Sequence, residues 1–208
     1  MIWSILIAAI PERYHLVQPL LYSLLETQAV ARRPDVELLY LLDNRRRLVG
    51  AKRNDLLHAA RGEFVSFIDD DDEVAANYVD KVLAGIAQAR RESADVVCFP
   101  QRATLSPAGI THECTYSIKY LERPLDQRRQ LTPTDRSSTQ GTLNWSGPPA
   151  HTMIWRRELV KDIPFEDKQF GEDVLWCDMA ASRAKREIQI PGDPLYFYKF
   201  DAERSTTR

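Results

Sequence analysis

Apolar and polar positions follow two alternating rhythms through the first hundred residues. Ser4 to Ile10 is apolar at nearly every position, Leu16, Val17, Leu20, Leu21, Leu24 and Leu25 recur at helical spacing, and Val36 to Leu42 is apolar again. The pattern then repeats, with a helix through Gly50 to Ala60, a strand Phe64 to Ile68, a helix with Val79, Val82, Leu83 and Ile86 on one face, and a strand Val96 to Phe99. Strands that are apolar throughout are buried on both faces, so the alternation predicts an α/β fold with a mostly parallel sheet between helices. Pro19 lacks the N–H that an interior helical position donates, so the first helix is expected to begin only a residue or two before it.

The second half reads differently. Arg102 to Leu105 and Ile110 to Tyr116 flank Ser106, Pro107, Ala108 and Gly109, which reads as a hairpin. From Leu121 to Gly147 the chain is rich in Pro, Thr, Ser, Gln and Arg with few apolar anchors, which predicts a loop that is mobile without ligand. A short strand Thr152 to Trp155, a helix-like Arg156 to Val160, a helix Glu172 to about Arg183 and a last strand Leu195 to Phe200 complete the pattern.

Composition narrows the class. The 208 residues fit one domain with a core that needs no crosslinks, and a net charge of −2 with 28% charged residues gives no general attraction to polyanions. Three widely spaced cysteines, Cys98, Cys114 and Cys177, argue against a disulfide framework and for a reducing, cytoplasmic setting. Trp3 to Ile10 is too short to span a bilayer and is followed by Pro11 and Glu12, so no membrane span is expected.

The candidate chemistry lies at strand ends. Asp69 to Asp72 follow the strand Phe64 to Ile68, and the ends of parallel strands are where open α/β sheets bind ligands. Crowded carboxylates repel one another unless a cation neutralises them, and oxygen ligands suit Mg²⁺ or Mn²⁺, which in turn hold a diphosphate. The plain alternative is a solvated turn opening the next helix. Asp43 ends the second strand, and Gly50, Ala51, Lys52, Arg53 and Asn54 turn into a helix with two cations at its start. These clusters converge on one crevice in such a sheet and outline a nucleotide diphosphate site.

The pieces Ile7 to Pro11, Leu41-Leu42-Asp43, Gly50 to Asn54, Gly62 to Asp72, Gly171-Glu172-Asp173 and Tyr196 to Lys199 occur in the order and spacing of the family 2 glycosyltransferases of the GT-A fold, which the chain resembles over nearly its whole length. The resemblance implies a Rossmann-like sheet with a small antiparallel acceptor-side portion. It divides residues 1–208 into a nucleotide-sugar-binding half, 1–100, and an acceptor half, 101–208, with the mobile segment 121–147. It implies sugar transfer from a nucleotide sugar, a UDP-sugar by family frequency, to an acceptor hydroxyl with inversion, using Mn²⁺ or Mg²⁺.

Carried residue by residue, the resemblance puts Asp43 on the nucleobase and Lys52 and Arg53 beside the nucleotide. Asp69 and Asp71 match the Asp-x-Asp pair, with Asp71 the direct metal ligand, Asp70 within the same donor site and Asp72 the further acid. Asp173 matches the catalytic base, with Glu172 beside it on the substrate. Tyr196, Tyr198 and Lys199, then Arg204 and Ser205, match a tail that closes over the diphosphate, although Lys199 stands where arginine is common.

Other residues are read more openly. Trp145 is placed to stack on substrate or to anchor its loop, and His151 to reach the metal or the substrate. Arg45, Arg46 and Arg47 are candidates for phosphate or a plain solvated loop. The acceptor is a glycan, a lipid-linked sugar, a protein or a nucleic-acid base, the last drawing on Arg128, Arg129, Arg136, Arg156 and Arg157 as phosphate contacts. The rival readings are a silent binding protein on the same fold, against which Asp71 and Asp173 stand, and a nucleotidyltransferase, which needs a glycine-rich loop where this chain has Ile10 to Arg13.

Overall fold

The computed structural model describes residues 1–106, 110–124, 127–133, 143–169 and 171–201. Its first strands match the apolar runs: β1 (Trp3–Ala9), β2 (Val36–Leu42), β3 (Phe64–Phe67) and β5 (Val96–Cys98). All of β3 and β5 is buried, as sheets covered on both faces require. The two serines inside this core are satisfied: Ser66 Oγ accepts from Trp3 Nε1 at 3.0 Å and Ser4 Oγ donates to Glu37 at 2.7 Å.

The first helix departs from expectation. A 3₁₀ turn, Pro11–Arg13, leads into α1 (Tyr14–Tyr22), so Pro19 lies inside a helix that starts five residues before it. Pro19 sits on the exposed face, while Val17, Leu20 and Leu24 are buried on the opposite face. Burial of those side chains, each worth about 1.5–3 kcal/mol, offsets the proline's cost of about 3 kcal/mol. The helix then widens into a π turn, Ser23–Thr27, closed by Gln28 N–H donating to Ser23 O at 2.8 Å.

Helices α2 (Val49–Ala59) and α3 (Tyr78–Glu92) fall where the periodicity puts them. The aspartate run does not open α3. It turns on itself, with Asp72 N–H donating to Asp69 O at 3.2 Å, and enters a two-residue strand, β4 (Glu73–Val74), before α3 begins.

The remaining strands are β6 (Gln101–Ser106), β7 (Ile110–Tyr116), β8 (Gln130–Pro133), β9 (Leu143–Gly147), β10 (Ile154–Arg156), β11 (Glu187–Gln189) and β12 (Tyr196–Asp201). The helices are the short α4 (Arg157–Val160) and α5 (Glu172–Arg183). The hairpin is present in that β6 and β7 pair antiparallel, its tip at 107–109 lying outside the described residues. Strands β8 and β9 occupy ground read as a loop, and the remainder of that segment, 125–126 and 134–142, lies outside the described residues. Their alternation, Gln130-Leu131-Thr132-Pro133 and Leu143-Asn144-Trp145-Ser146, is too short to stand out in so polar a stretch, but it matches across the pair, Leu131 opposite Trp145 and Thr132 opposite Asn144, and β9 pairs in turn with β7.

Among the described residues two six-stranded sheets form. The first runs β11-β5-β10-β3-β1-β2 and is parallel except for β10, which lies antiparallel between β3 and β5. The second runs β4-β12-β6-β7-β9-β8 and mixes parallel with antiparallel pairs, so the acceptor-side portion is larger and less regular than a small antiparallel unit. The halves also interlock: β10 and β11 complete the first sheet, and β4 edges the second.

Candidate active site

The carboxyl ends of β1 and β3 and the start of α5 open onto one cleft of about 470 Å³. Arg13, Arg53, Asp69, Asp70, Asp71, Trp145, His151, Glu172, Asp173 and Lys199 all line it. Asp43, Lys52 and Asp72 do not.

Charge is paired throughout. Arg13, at the end of the turn after β1, reaches Asp70 at 2.8 Å and Asp71 at 3.0 Å. Arg13 was not among the expected site residues; its one signal in the sequence is a lone arginine just past a strand's carboxyl end. Burial drives the Asp71 carboxyl up, and Asp69 and Asp70 add repulsion that Arg13 does not cancel, so its pKa stands at about 6.

Arg53 is buried inside α2 and holds two acids from distant parts of the chain, Asp69 at 2.7 Å and Glu172 at 2.5 Å. Its guanidinium also lies 5.8 Å from the Phe67 ring centre and 5.6 Å from that of Phe165. Glu172, expected on the substrate, is therefore spent on Arg53. Burial works against ionised Asp69, yet Arg53 and His151 hold its carboxyl well below the ordinary range.

Asp72, expected as a metal ligand, is 2% exposed and has both oxygens engaged, Oδ2 by the Tyr196 hydroxyl at 2.6 Å and Oδ1 by Lys199 N–H at 2.8 Å. Tyr196 Oη also accepts from Asp69 N–H at 3.1 Å. Asp72 thus joins the aspartate turn to β12, and its chemistry is positional. The ammonium of Lys199 pairs with Glu73; Arg204 and Ser205 lie outside the described residues.

Helix α5 begins at Gly171, whose φ of 70° is the left-handed region that favours glycine, and presents Asp173 in its first turn. Burial acts to raise the Asp173 carboxyl, but the His151 ring, with Nδ1 3.1 Å from Oδ2, more than offsets it and brings the pKa to about 2. The other ring nitrogen, Nε2, stands 3.4 Å from Asp69 Oδ2. Against desolvation and the nearby Arg53, these two carboxylates hold the imidazole well above its ordinary pKa, so it is an imidazolium bridging Asp69 and Asp173. The ring thus joins the aspartate turn to the first turn of α5, one nitrogen toward each carboxylate.

Away from the cleft, Asp43 accepts from Arg45 N–H at 3.2 Å, Arg47 at 3.4 Å and Lys52 at 3.3 Å, and Lys52 also donates to Ala9 O. Burial opposes ionisation of Asp43 and Lys52 restores it, leaving its carboxyl below the ordinary value. Arg45, Arg47 and Lys52 line a small adjoining cavity of about 110 Å³. Arg156 and Arg157 are structural: they donate to Ala94 O, Glu63 and Gly62 O, and Arg156 pairs with Phe64 at the opposite end of β3 from the cleft. Arg129 lines the cleft, paired with Asp178 at 2.9 Å, Arg128 donates to Arg123 O, and Arg136 lies outside the described residues.

The donor set fits a divalent cation at Asp71. Asp71 lines the cleft, meets one guanidinium and carries a pKa raised by burial and by neighbouring acids, a strain that a cation relieves. Asp69 is already neutralised by Arg53 and His151.

Comparison with known proteins gives the fold and the family. EpsH of Bacillus subtilis (strain 168), which bears a glycosyltransferase name, is 30% identical over 174 residues, 80% of this chain and 48% of that protein. The structure of S. aureus TarS 1–349 in complex with UDP-GlcNAc superposes with a TM-score of 0.64 at 19% identity, over 100% of this chain and 61% of that one. The same TarS region in complex with UDP gives a TM-score of 0.61 at 18% identity, over 98% of this chain and 62% of that one. The chain thus spans about half the length of the curated relative and about three-fifths of the solved ones, and these likenesses identify the GT-A fold. With the model named Glycosyl transferase family 2 matching residues 12–163, across both the aspartate turn and His151, the chain belongs to that family.

Proposed function

We propose that this chain transfers a sugar from a nucleotide sugar, with a UDP-sugar as the donor, to an acceptor hydroxyl, with inversion at the anomeric carbon. The observation that carries the reading is the pairing of two unlike carboxylates in one cleft. Asp71, beside Asp69 and Asp70 at the end of β3, is placed for a cation, and Asp173, at the start of α5 on the other wall, is held ionised by His151 and so has a free carboxylate to accept a proton. Asp71, with Asp69 beside it, would hold Mn²⁺ or Mg²⁺, and that cation would offset the charge growing on the leaving diphosphate.

The protein's own groups do the rest. Asp173 Oδ accepts the proton of the acceptor hydroxyl as that oxygen attacks, and His151 fixes the carboxylate's orientation while keeping it ionised. Arg53 aligns Asp69 with α5, so the donor and the base are registered through one guanidinium. Trp145, packed at 5.0 Å on Tyr116, offers the acceptor an aromatic wall. Among the described residues no helix is long and apolar enough to cross a membrane, so a membrane-spanning helix is not part of this reading.

A panel of nucleotide sugars assayed for hydrolysis and transfer, with Mn²⁺ or with chelator, tests the activity. Calorimetry with UDP tests the cation: affinity should fall in chelator and in Asp71→Asn alike. Equal affinity with and without metal would remove the cation from the mechanism, and no turnover of any donor would favour a silent nucleotide-binding protein.

A further inference from the structure

The ligand-bearing side chains of the cleft fall into two sets of different hardness. Asp69 and Asp71, at the end of β3, offer oxygen alone. On the other wall, a ring nitrogen of His151, a carboxylate oxygen of Asp173 and the sulfur of Cys177 lie within 4.8 Å of one another. Asp173 and Cys177 are four residues apart on α5 and so share one face of that helix, while His151 comes from the segment before β10. All three line the cleft, which gives an ion a path from solvent.

A second observation points the same way. His151 is only 8% exposed, and its Nδ1 makes no hydrogen bond although it stands 3.1 Å from Asp173. The contact is one of charge, off the line a hydrogen bond requires. A nitrogen held by charge alone and not by a well-aligned hydrogen bond can be turned to an ion, and His151, Asp173 and Cys177 bring their ligand atoms to one space. Nitrogen, oxygen and sulfur together with an open fourth position suit Zn²⁺ and suit Mg²⁺ or Mn²⁺ poorly.

We propose that His151, Asp173 and Cys177 form an inhibitory Zn²⁺ site inside the catalytic cleft. The ion displaces the proton of the Cys177 thiol and the Nδ1 proton of the His151 ring, and takes the Asp173 oxygen that would otherwise accept the acceptor's proton. Asp71 and the donor site are left as they are, so nucleotide sugar still binds. The word inhibitory rests on the role proposed for Asp173; the ion's position does not.

The test uses Co²⁺ as a visible stand-in for Zn²⁺ on the full chain, with Mg²⁺ in excess to fill the oxygen site. One Co²⁺ per chain with thiolate-to-metal absorption, abolished by Zn²⁺, is expected, and Zn²⁺ should lower transfer while the donor KM holds. In Cys177→Ala and in the near-isosteric Cys177→Ser the absorption should vanish and inhibition should require at least tenfold more Zn²⁺, with Mg²⁺-supported transfer unchanged. Using both variants, each checked by circular dichroism, separates loss of the ligand from loss of the fold. No thiolate absorption in the parent, or inhibition unshifted in both variants, would overturn the site. Thiolate-bound Co²⁺ without inhibition by Zn²⁺ would overturn the inhibitory role and with it Asp173 as the base, leaving only the ion's position.

Discussion

The two sheets are built by different rules. In the first, β1, β3 and β5 are buried on both faces, so local sequence alone dictates a strand wherever Ile, Leu, Val and Phe run together. In the second, β6 alternates buried and exposed positions at its start, and β8 and β9 hold to β7 and to each other through pairing. The first sheet fixes the charges and the second gives the cleft its shape. The contrast is incomplete in one respect: the counter-charges of Arg53 and Asp69 include Glu172 and His151, both from the second half of the chain. Donor-side and acceptor-side functions should therefore separate in binding and merge in stability.

The largest separation is expected at Asp173. Asp173→Asn should lower transfer about 10²- to 10⁴-fold while leaving UDP affinity within about twofold, since a base acts in the transition state and not on the bound donor. Transfer near the parent rate with the true acceptor would place the base elsewhere. Arg53→Met probes the merged property. It leaves Asp69 and Glu172 buried without their partner and should cost about 3–5 kcal/mol in urea unfolding. A loss under about 1 kcal/mol would mean that the halves are joined by other means.

Next in size is a pH effect confined to the donor side. The Asp71 carboxyl titrates near 6 when folded, against an ordinary value of 3.8, so between about pH 4 and 6 the folded chain holds a proton that the unfolded chain has released. Stability without a divalent cation should then fall as pH rises through that window, by about 1–2 kcal/mol after allowance for its partial exposure. Asp173 has the opposite sign: its contribution is present above the unfolded value and disappears as pH falls from about 4 toward 2. Denaturation at pH 2, 4.5 and 7 in chelator and in Mn²⁺ checks both, with the ion expected to flatten the higher window. The smallest effect belongs to the second sheet alone: Trp145→Phe should raise the acceptor KM a few-fold and leave donor affinity unchanged, which steady-state kinetics can read directly.

How much of this was legible follows from where each feature gets its energy. Val36–Leu42 and the helix from Glu172 to about Arg183 were legible because an apolar run and an acidic helix start are local signals. Strands β8 and β9 were not, because an alternation of four or five residues inside a stretch rich in Pro, Thr, Ser, Gln and Arg is too short to mark a strand before its pairing is known. The candidate base and the Asp-x-Asp pair were recognisable as residues, but their charge states were not: the Arg13 contact to Asp71, the His151 bridge and the removal of Asp72 to a structural joint exist only in three dimensions. The start of α1 before Pro19 shows the reverse case, a strong local signal overruled by the core beneath it.

Strand β10 has a consequence for how the chain is made. It fills the gap between β3 and β5, pairing Trp155 with both Val65 and Val96, so a nascent chain that has finished β5 still has two open, apolar strand edges facing each other. The strand that closes them is synthesised some ninety positions after β3, roughly 5–20 s later at ordinary translation speeds. During that interval the emerging polypeptide is a template for pairing with other chains, which makes ribosome-bound chaperones and slow growth temperatures the first variables to adjust when it is produced.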